Sequence, residues 1–339
     1  MPQRLTMKDI AVLAGVSKAT VSRAIREPHL VHPETRARIK RIMETNGYVY
    51  DAVAGDLSRK MTSVLGLIIP TIKASIFASS THGIQEKAHQ LGYTVIIGNT
   101  NYDPEIEADL LRHLVQRRVA GVILTGLSPQ IRPMISDLAD RGIPCVITWE
   151  TIKEENLNFV GFDNFKAAYQ VTSYLLSLKH TRIGLICGPY DRVVRVKQRH
   201  DGYRAALEER GLVYDPALVI GKDYSLIEGK EAMLRLLDLD PRPTAIFAAS
   251  DVLAMGALAG IREQGLRVPQ DISLAGFDDI DFAAYCHPPL TTIRVPAYEM
   301  GQLAVKVLLD LITSRETTQR RYTLATDLIV RGSCRERTE

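Results

Sequence analysis

The chain has 339 residues, 46% hydrophobic and 24% charged, which fits a globular protein with ample core and excludes a disordered or fibrous one. Its formal charge of +3 is uneven. Residues 1–60 hold eleven Lys and Arg against six Asp and Glu, so the basic surplus sits at the N-terminal end and the remainder is mildly acidic. Four scattered cysteines without Cys-x-x-Cys spacing argue against a zinc site or a disulfide framework, no apolar run reaches membrane-spanning length, and the opening residues lack a signal-peptide core. These features predict a cytoplasmic protein of two or three domains.

Residues 6–25 read as two short helices joined by a glycine turn. Thr6 is placed to N-cap the first helix, with Asp9 at the capping-box position. Ile10, Leu13 and Ala14 share one face, Gly15 supplies the positive φ of a sharp turn, and Val16 plugs the angle. Ser17 caps the second helix, whose Val21 and Ile25 face inward while Lys18, Ala19, Ser22 and Arg23 face out. Such a helix enters a DNA major groove by its N-terminal part. Lys18 and Arg23 are suited to guanine O6 and N7 and Ala19 to a thymine methyl; Ser17, Thr20 and Ser22 are suited to phosphates. The plain alternative is a helical hairpin with a solvated basic face. The ordered string Gly-Val-Ser-x-x-Thr-Val-Ser-Arg favours the DNA reader.

A third helix is predicted from Pro33 to Asn46, with His32 at its N-cap, Gly47 after its end, and Ile39, Ile42 and Met43 turned toward the first two. Residues 48–62 read as a linker. From Val64 the pattern changes to short apolar strands at 64–69, 94–98, 121–125 and 145–148, alternating with amphipathic helices. The rhythm restarts at Phe159 and continues through 183–187, 218–221, 245–248 and 273–277. Two successive series predict two doubly wound parallel-sheet lobes, with a ligand between the carboxyl ends of their strands.

With these elements in place, the chain resembles the LacI/GalR family of bacterial transcription regulators over essentially its whole length. The resemblance rests on the helix-turn-helix string and on Val-Gly-Phe-Asp-Asn (160–164), Arg-His-Asp-Gly-Tyr (199–203), Ser-Asp-Val-Leu-Ala-Met-Gly-Ala (250–257), Gly-Phe-Asp-Asp (276–279) and Pro-Pro-Leu-Thr-Thr-Ile (288–293), in that order. It implies an all-α headpiece at 1–47, a hinge at 48–62, and an α/β core of the periplasmic-binding-protein type at 63–339. In that core, lobe 1 takes about 63–158 and 291–321, and lobe 2 about 159–290 and 322–339. It also implies a homodimer on a palindromic operator. The polar tail carries no leucine heptad of the kind that builds tetramers in some members. Leu57 matches a leucine that wedges into the minor groove from a hinge helix. Here Asp51, Gly55 and Asp56 depart from the family pattern and weaken that helix.

The resemblance places effector-binding residues at the cleft. Phe77 matches an apolar position that packs on the ligand, with plain core as its alternative. Trp149, the single tryptophan, stacks on a sugar face or covers the lobe interface. Arg199 matches the arginine that binds effector oxygens, and Asp278 and Asp163 match acids that accept from hydroxyls. Ser250 stands where Asn is frequent. Arg195, beside Arg199 in a basic stretch, adds a second cation and favours an anionic ligand. A sugar acid such as gluconate or 2-ketogluconate, the effector of the branch this chain resembles, is therefore the first expectation, with a neutral sugar or purine as the alternative. No cofactor and no metal are expected; the aspartates at 278, 279 and 281 lack further ligands. A solute-binding receptor lacks a helix-turn-helix. An enzyme needs a Walker loop, a dinucleotide fingerprint or a nucleophile–base pair, and none stands out here.

Overall fold

The computed structural model describes residues 5–48, 50, 62–154, 156–314 and 319–337. The chain divides into two compact units, Met1–Thr62 and Ser63–Glu339.

The first unit holds α1 (Met7–Leu13), α2 (Lys18–Arg26) and α3 (Pro33–Thr45). The capping box forms: the Asp9 carboxylate accepts from the Thr6 backbone N–H at 2.8 Å, and Thr6 Oγ1 accepts from the Asp9 N–H. Gly15 and Gly47 take φ of +62° and +59°, the left-handed values that the turn and the end of α3 need. Ile10, Ala11, Ala14, Val21 and Ile39 make the small core, with Ile25, Ile42 and Met43 packed against it. Leu13 is 54% exposed, contrary to its assignment to the inner face. α1 is only two turns long, and Ala11 occupies the inner position instead.

The second unit has two parallel sheets. The first has strand order β11–β5–β4–β3–β1–β2, with β1 (Val64–Ile69), β2 (Thr94–Asn99), β3 (Gly121–Thr125), β4 (Cys145–Thr148), β5 (Phe159–Phe162) and β11 (Arg321–Leu324). Strand side chains alternate between faces. Leu65, Leu67, Ile69, Ile123 and Val146 therefore meet α4 (Ser75–Gln90) and α11 (Ala297–Thr313). Ile68, Val122, Leu124 and Ile147 meet α5 (Pro104–Gln116) and α6 (Arg132–Asp140) on the other face. The second sheet runs β7–β6–β8–β9, with β6 (Ile183–Cys187), β7 (Val219–Gly221), β8 (Ala245–Ala248) and β9 (Ser273–Ala275). It lies between α7 (Asn164–Ser177) with α8 (Val194–Glu209) and α9 (Leu226–Leu237) with α10 (Asp251–Glu263). The loop glycines Gly92, Gly142, Gly211 and Gly265 all have positive φ, as helix ends before strands require.

One boundary differs from the sequence reading. Phe159–Phe162 pairs with β4 on one side and β11 on the other, so it closes the first sheet instead of opening the second. Tyr322–Leu324 likewise belongs to lobe 1. The chain crosses to lobe 2 only at Asp163, where a strand is followed by a helix as everywhere else, and the alternation carries no mark of the change. It crosses again at β10 (Thr292–Arg294) and β12 (Asp327–Ile329), which pair antiparallel. Past β12 the chain joins lobe 2, where Leu274 N–H donates to Ser333 O at 2.9 Å.

A buried carboxyl pins this junction. Asp251 accepts from Thr292 Oγ1 at 2.6 Å and from the Ile280 N–H at 2.9 Å, and burial holds its pKa well above the usual carboxylate range. The helices of lobe 1 approach closely as well: a Cβ on Gly83 would collide with Tyr298 O, and one on Gly301 with Ser80 O. We expect Gly301→Ala to cost about 1–3 kcal/mol through overpacking of α4 against α11. It should lower the urea midpoint with the slope of the transition unchanged.

Candidate nucleic-acid interface and ligand cleft

The N-terminal end of α2 offers an exposed polar surface. Ser17 caps it, its Oγ accepting from the Thr20 N–H at 3.0 Å. Ser17, Lys18, Ala19 and Arg23 are exposed and Thr20 and Ser22 are half-buried, while Val21 is fully buried beneath them. Thr6 is committed to its capping box, which leaves its backbone and hydroxyl beside the first turn of α1. Apart from Val21, all of these groups are exposed or half-buried in the first unit; Leu57 falls outside the described residues.

In the second unit, the carboxyl ends of the two sheets bring several side chains together. Arg199 on α8 is 4% exposed. Its Nε donates to Asn164 Oδ1 at 2.9 Å and its Nη1 to Ala249 O at 2.8 Å, and Asp278 Oδ1 lies 4.0 Å from Nη1. The guanidinium lies 3.8 Å from the Phe277 ring centroid, a cation–π contact in a site shielded from water. Asp278 follows β9 with φ of +115°, an uncommon conformation for a non-glycine residue. Burial pushes its pKa up to about 6, against the opposing pull of Arg199 and the Ser250 hydroxyl. Ser250 also caps α10, accepting from the Val252 N–H at 3.3 Å.

From lobe 1 come Phe77 and Trp149, ring centroids 4.8 Å apart and edge to face. Trp149 has φ of +75°, is 1% exposed, and has no partner for its indole N–H among the described residues. Both residues are buried. Asp163 is taken by the backbone: it caps α7, accepting from the Lys166 N–H at 2.9 Å. Its neighbour Asn164 faces inward instead, joining Trp149 O at 2.8 Å to Arg199. Sequence reasoning chose the acid of Val-Gly-Phe-Asp-Asn and missed the amide one residue on.

The sequence reading also missed two acids and two tyrosines. Glu150, after Trp149, is 2% exposed and accepts from the Leu127 N–H at 2.5 Å; burial raises its pKa, and Arg195 opposes that rise. Glu107 on α5 is raised by burial too. Tyr102 of lobe 1 stacks on Tyr224 of lobe 2, centroids 5.7 Å apart. A cavity of about 390 Å³ opens here, lined by Tyr102, Glu107, Ser128, Glu150 and Arg195 among others. All of these lie just beyond the carboxyl ends of strands, the one signal that would have found them. Of the predicted cleft residues, Arg195 alone lines this space; Arg199, Asp278 and Ser250 cluster beside it. No group of metal-ligating side chains occurs among the described residues, and no described helix is long and apolar enough to cross a membrane.

The raised pKa of Asp278 has a signed consequence. Its native form keeps a proton that the unfolded form has lost between pH 3.8 and about 6, so stability falls as pH climbs through that window. We expect Asp278→Asn to gain on the wild type by about 3 kcal/mol between about pH 4 and about pH 7 in urea titrations.

Comparison with known proteins agrees with this geometry. The model for bacterial regulatory proteins of the lacI family matches residues 6–51, and that for a periplasmic binding protein-like domain matches 172–334. The transcriptional repressor CytR of Escherichia coli K12 is 36% identical over 331 residues, covering 97% of this chain and 96% of its own. Among solved structures, the regulator CelR in complex with cellobiose is 32% identical with a TM-score of 0.73, covering 97% of this chain and all of that one. The lac repressor dimer bound to operator and an anti-inducer is 27% identical with a TM-score of 0.84, covering 98% and 99%. The chain belongs to the LacI family, as a DNA-binding transcriptional repressor with an effector-binding domain.

Proposed function

We propose that this repressor binds its effector in the cleft between the lobes, with Arg199 and Asp278 as the pair that reads ligand hydroxyls. The carrying observation is their buried arrangement: a donor fork and an acceptor 4.0 Å apart, set by Asn164 and Phe277 and within reach of Ser250. Vicinal hydroxyls bridge such a pair, one donating to the carboxylate and one accepting from the guanidinium. Phe77 and Trp149 supply the apolar wall against which a sugar ring packs.

The charge balance moves the reading from a sugar acid toward the neutral sugar or purine alternative. The acid was favoured because Arg195 and Arg199 converge. In the fold Arg199 faces Asp278, and Arg195 lies in the field of Glu150 and Glu107. A carboxylate of gluconate or 2-ketogluconate would enter a site where these carboxyls already stand near both cations. CelR, a relative over nearly the whole chain, was solved with cellobiose, a neutral disaccharide.

On the DNA side, α2 reads the operator through Lys18, Ala19 and Arg23, with Ser17, Thr20, Ser22 and the Thr6 region on phosphates and Leu57 as the hinge wedge. Two copies present two such helices to a palindromic site, as a cytoplasmic homodimer. The lac repressor was solved as a dimer on its operator. Exposed Ile227, Phe282 and Tyr285 on lobe 2 are apolar area that a second copy would cover.

The test is an operator selected from random DNA, titrated with full-length protein by fluorescence anisotropy at several salt concentrations. Neutral sugars, purines and sugar acids are added in turn. Affinity should fall steeply with salt. Arg23→Ala should weaken operator binding about tenfold or more and leave calorimetric ligand affinity unchanged. Arg199→Ala should cost about ten- to a hundredfold in ligand affinity and spare operator affinity. Release by sugar acids alone would restore the anionic reading, and no salt-sensitive operator binding would overturn the whole proposal.

A further inference from the structure

Arg195 starts in one lobe and ends in the other. It leaves the first turn of α8 in lobe 2 and is 7% exposed. Its Nη1 lies 3.5 Å from Thr125 O of lobe 1. A Cβ built on Gly126 would stand 2.8 Å from the same Nη1 and 3.6 Å from Glu150 Oε1, so the guanidinium and the carboxyl flank one glycine. Gly126 has φ of +83° and no side chain, and both features are needed for the approach. The guanidinium carbon also lies 5.7 Å from the Phe77 ring centroid and 5.8 Å from that of Tyr102.

A carbonyl, a carboxyl and two aromatic faces, all from lobe 1, thus surround a cation owned by lobe 2. This is the set of groups that proteins use to hold a guanidinium or alkylammonium ligand. The loop that carries Tyr102 is shaped for the contact at a backbone cost: Asn101 and Tyr102 have φ of +52° and +62°. Tyr102 then reaches Tyr224 of lobe 2, making a second bridge beside the first.

We propose that Arg195 is an intramolecular latch, a cation of lobe 2 seated in a cation cradle of lobe 1 that ties the two lobes together across the cleft. A buried guanidinium is costly unless matched, and Thr125 O and the Glu150 carboxyl are the polar groups that lobe 1 places beside this one. An effector acts on a preset equilibrium between closed and open lobes, whose position the latch fixes. The inference is independent of which ligand the cleft takes.

The experiment uses the full-length protein without ligand. Gln130 and Arg192 are exposed on opposite lobes at the mouth of the cavity. Spin labels at Gln130→Cys and Arg192→Cys, in a background carrying Cys286→Ser and Cys334→Ser, report the interlobe distance by pulsed electron resonance. Arg195→Ala should lengthen that distance by several ångströms and broaden it. Acrylamide quenching of Trp149 should rise severalfold, with far-ultraviolet circular dichroism unchanged. Arg195→Lys, which keeps the charge and loses the fork, should fall between. Should Arg195→Ala fail to fold, Glu150→Gln removes the carboxylate at nearly constant shape and should open the cleft in the same direction. Distance distributions that coincide with the wild type in the variants that fold would overturn the proposal, because the lobes would then be closed by something else.

Discussion

Two guanidinium groups, Arg195 and Arg199, lie in the seam between the lobes, and a buried guanidinium has to be matched where it stands. That single constraint organises the cleft. Arg199 is matched within lobe 2 and at its edge, by Asp278, Ala249 O and the crossover residue Asn164. Arg195 reaches into lobe 1, where its Nη1 lies 3.5 Å from Thr125 O and the Glu150 carboxyl stands beside Gly126. One arginine therefore belongs to a preformed pair with Asp278, and the other reaches from one half of the fold to the other. The carboxyls that do the matching are themselves desolvated, which is why Asp278, Glu150 and Glu107 all hold protons more tightly than in water.

The same constraint underlies the proposed ligand class. A cleft with two cations and no acids draws anions; here each cation lies near a carboxyl that offsets its charge. What remains is a surface of alternating donors and acceptors beside aromatic walls, and that pattern suits hydroxyls and flat rings. Basic residues were visible in the sequence as a run from 192 to 199, whereas Glu107 and Glu150 stand 42 to 92 residues away from its members. Local charge density was read correctly, and the charge balance of the folded site could not be read from it.

Much of the fold was legible because it is written locally. Strand hydrophobicity, helix periodicity, the Thr6–Asp9 box and the glycines after helices are all short-range signals, and each found its place except on two-turn α1, where Ala11 is inside and Leu13 is out. The misplaced boundary at Phe159 has a different cause. Which sheet a strand joins is decided by its neighbours, here β4 and β11, and the latter lies some 160 residues downstream. Asp163 and Asn164 show the limit on a finer scale. Both are polar and both start α7, but the cap geometry turns one outward to the backbone and leaves the other pointing at Arg199. Only the helix start, resolved to a single residue, separates them.

The loop after β9 shows how recognition and hinge are joined. Asp278 faces the arginine of the cleft, while Asp279, with φ of +55°, turns the other way. Its carboxylate accepts from Arg294 Nε at 2.7 Å and from Arg331 Nη2 at 2.6 Å. Arg294 belongs to β10 and Arg331 follows β12, so one side chain clamps both of the later connections between the lobes. Asp278 is bonded to the same connection through its N–H to Ile293 O at 2.8 Å. The acid of the Arg199 pair is thus one peptide away from the residue that holds the crossovers. A change of contact at Asp278 has no flexible segment in which to dissipate, because backbone bonds and two ion pairs fix the loop on its far side. Beyond Arg294 the chain enters α11, whose backbone touches that of α4 at Gly83 and Gly301, and α4 carries Phe77 back to the cleft. Ligand contact, crossover and lobe 1 form one closed mechanical circuit, which the Arg195 contact completes from the opposite side.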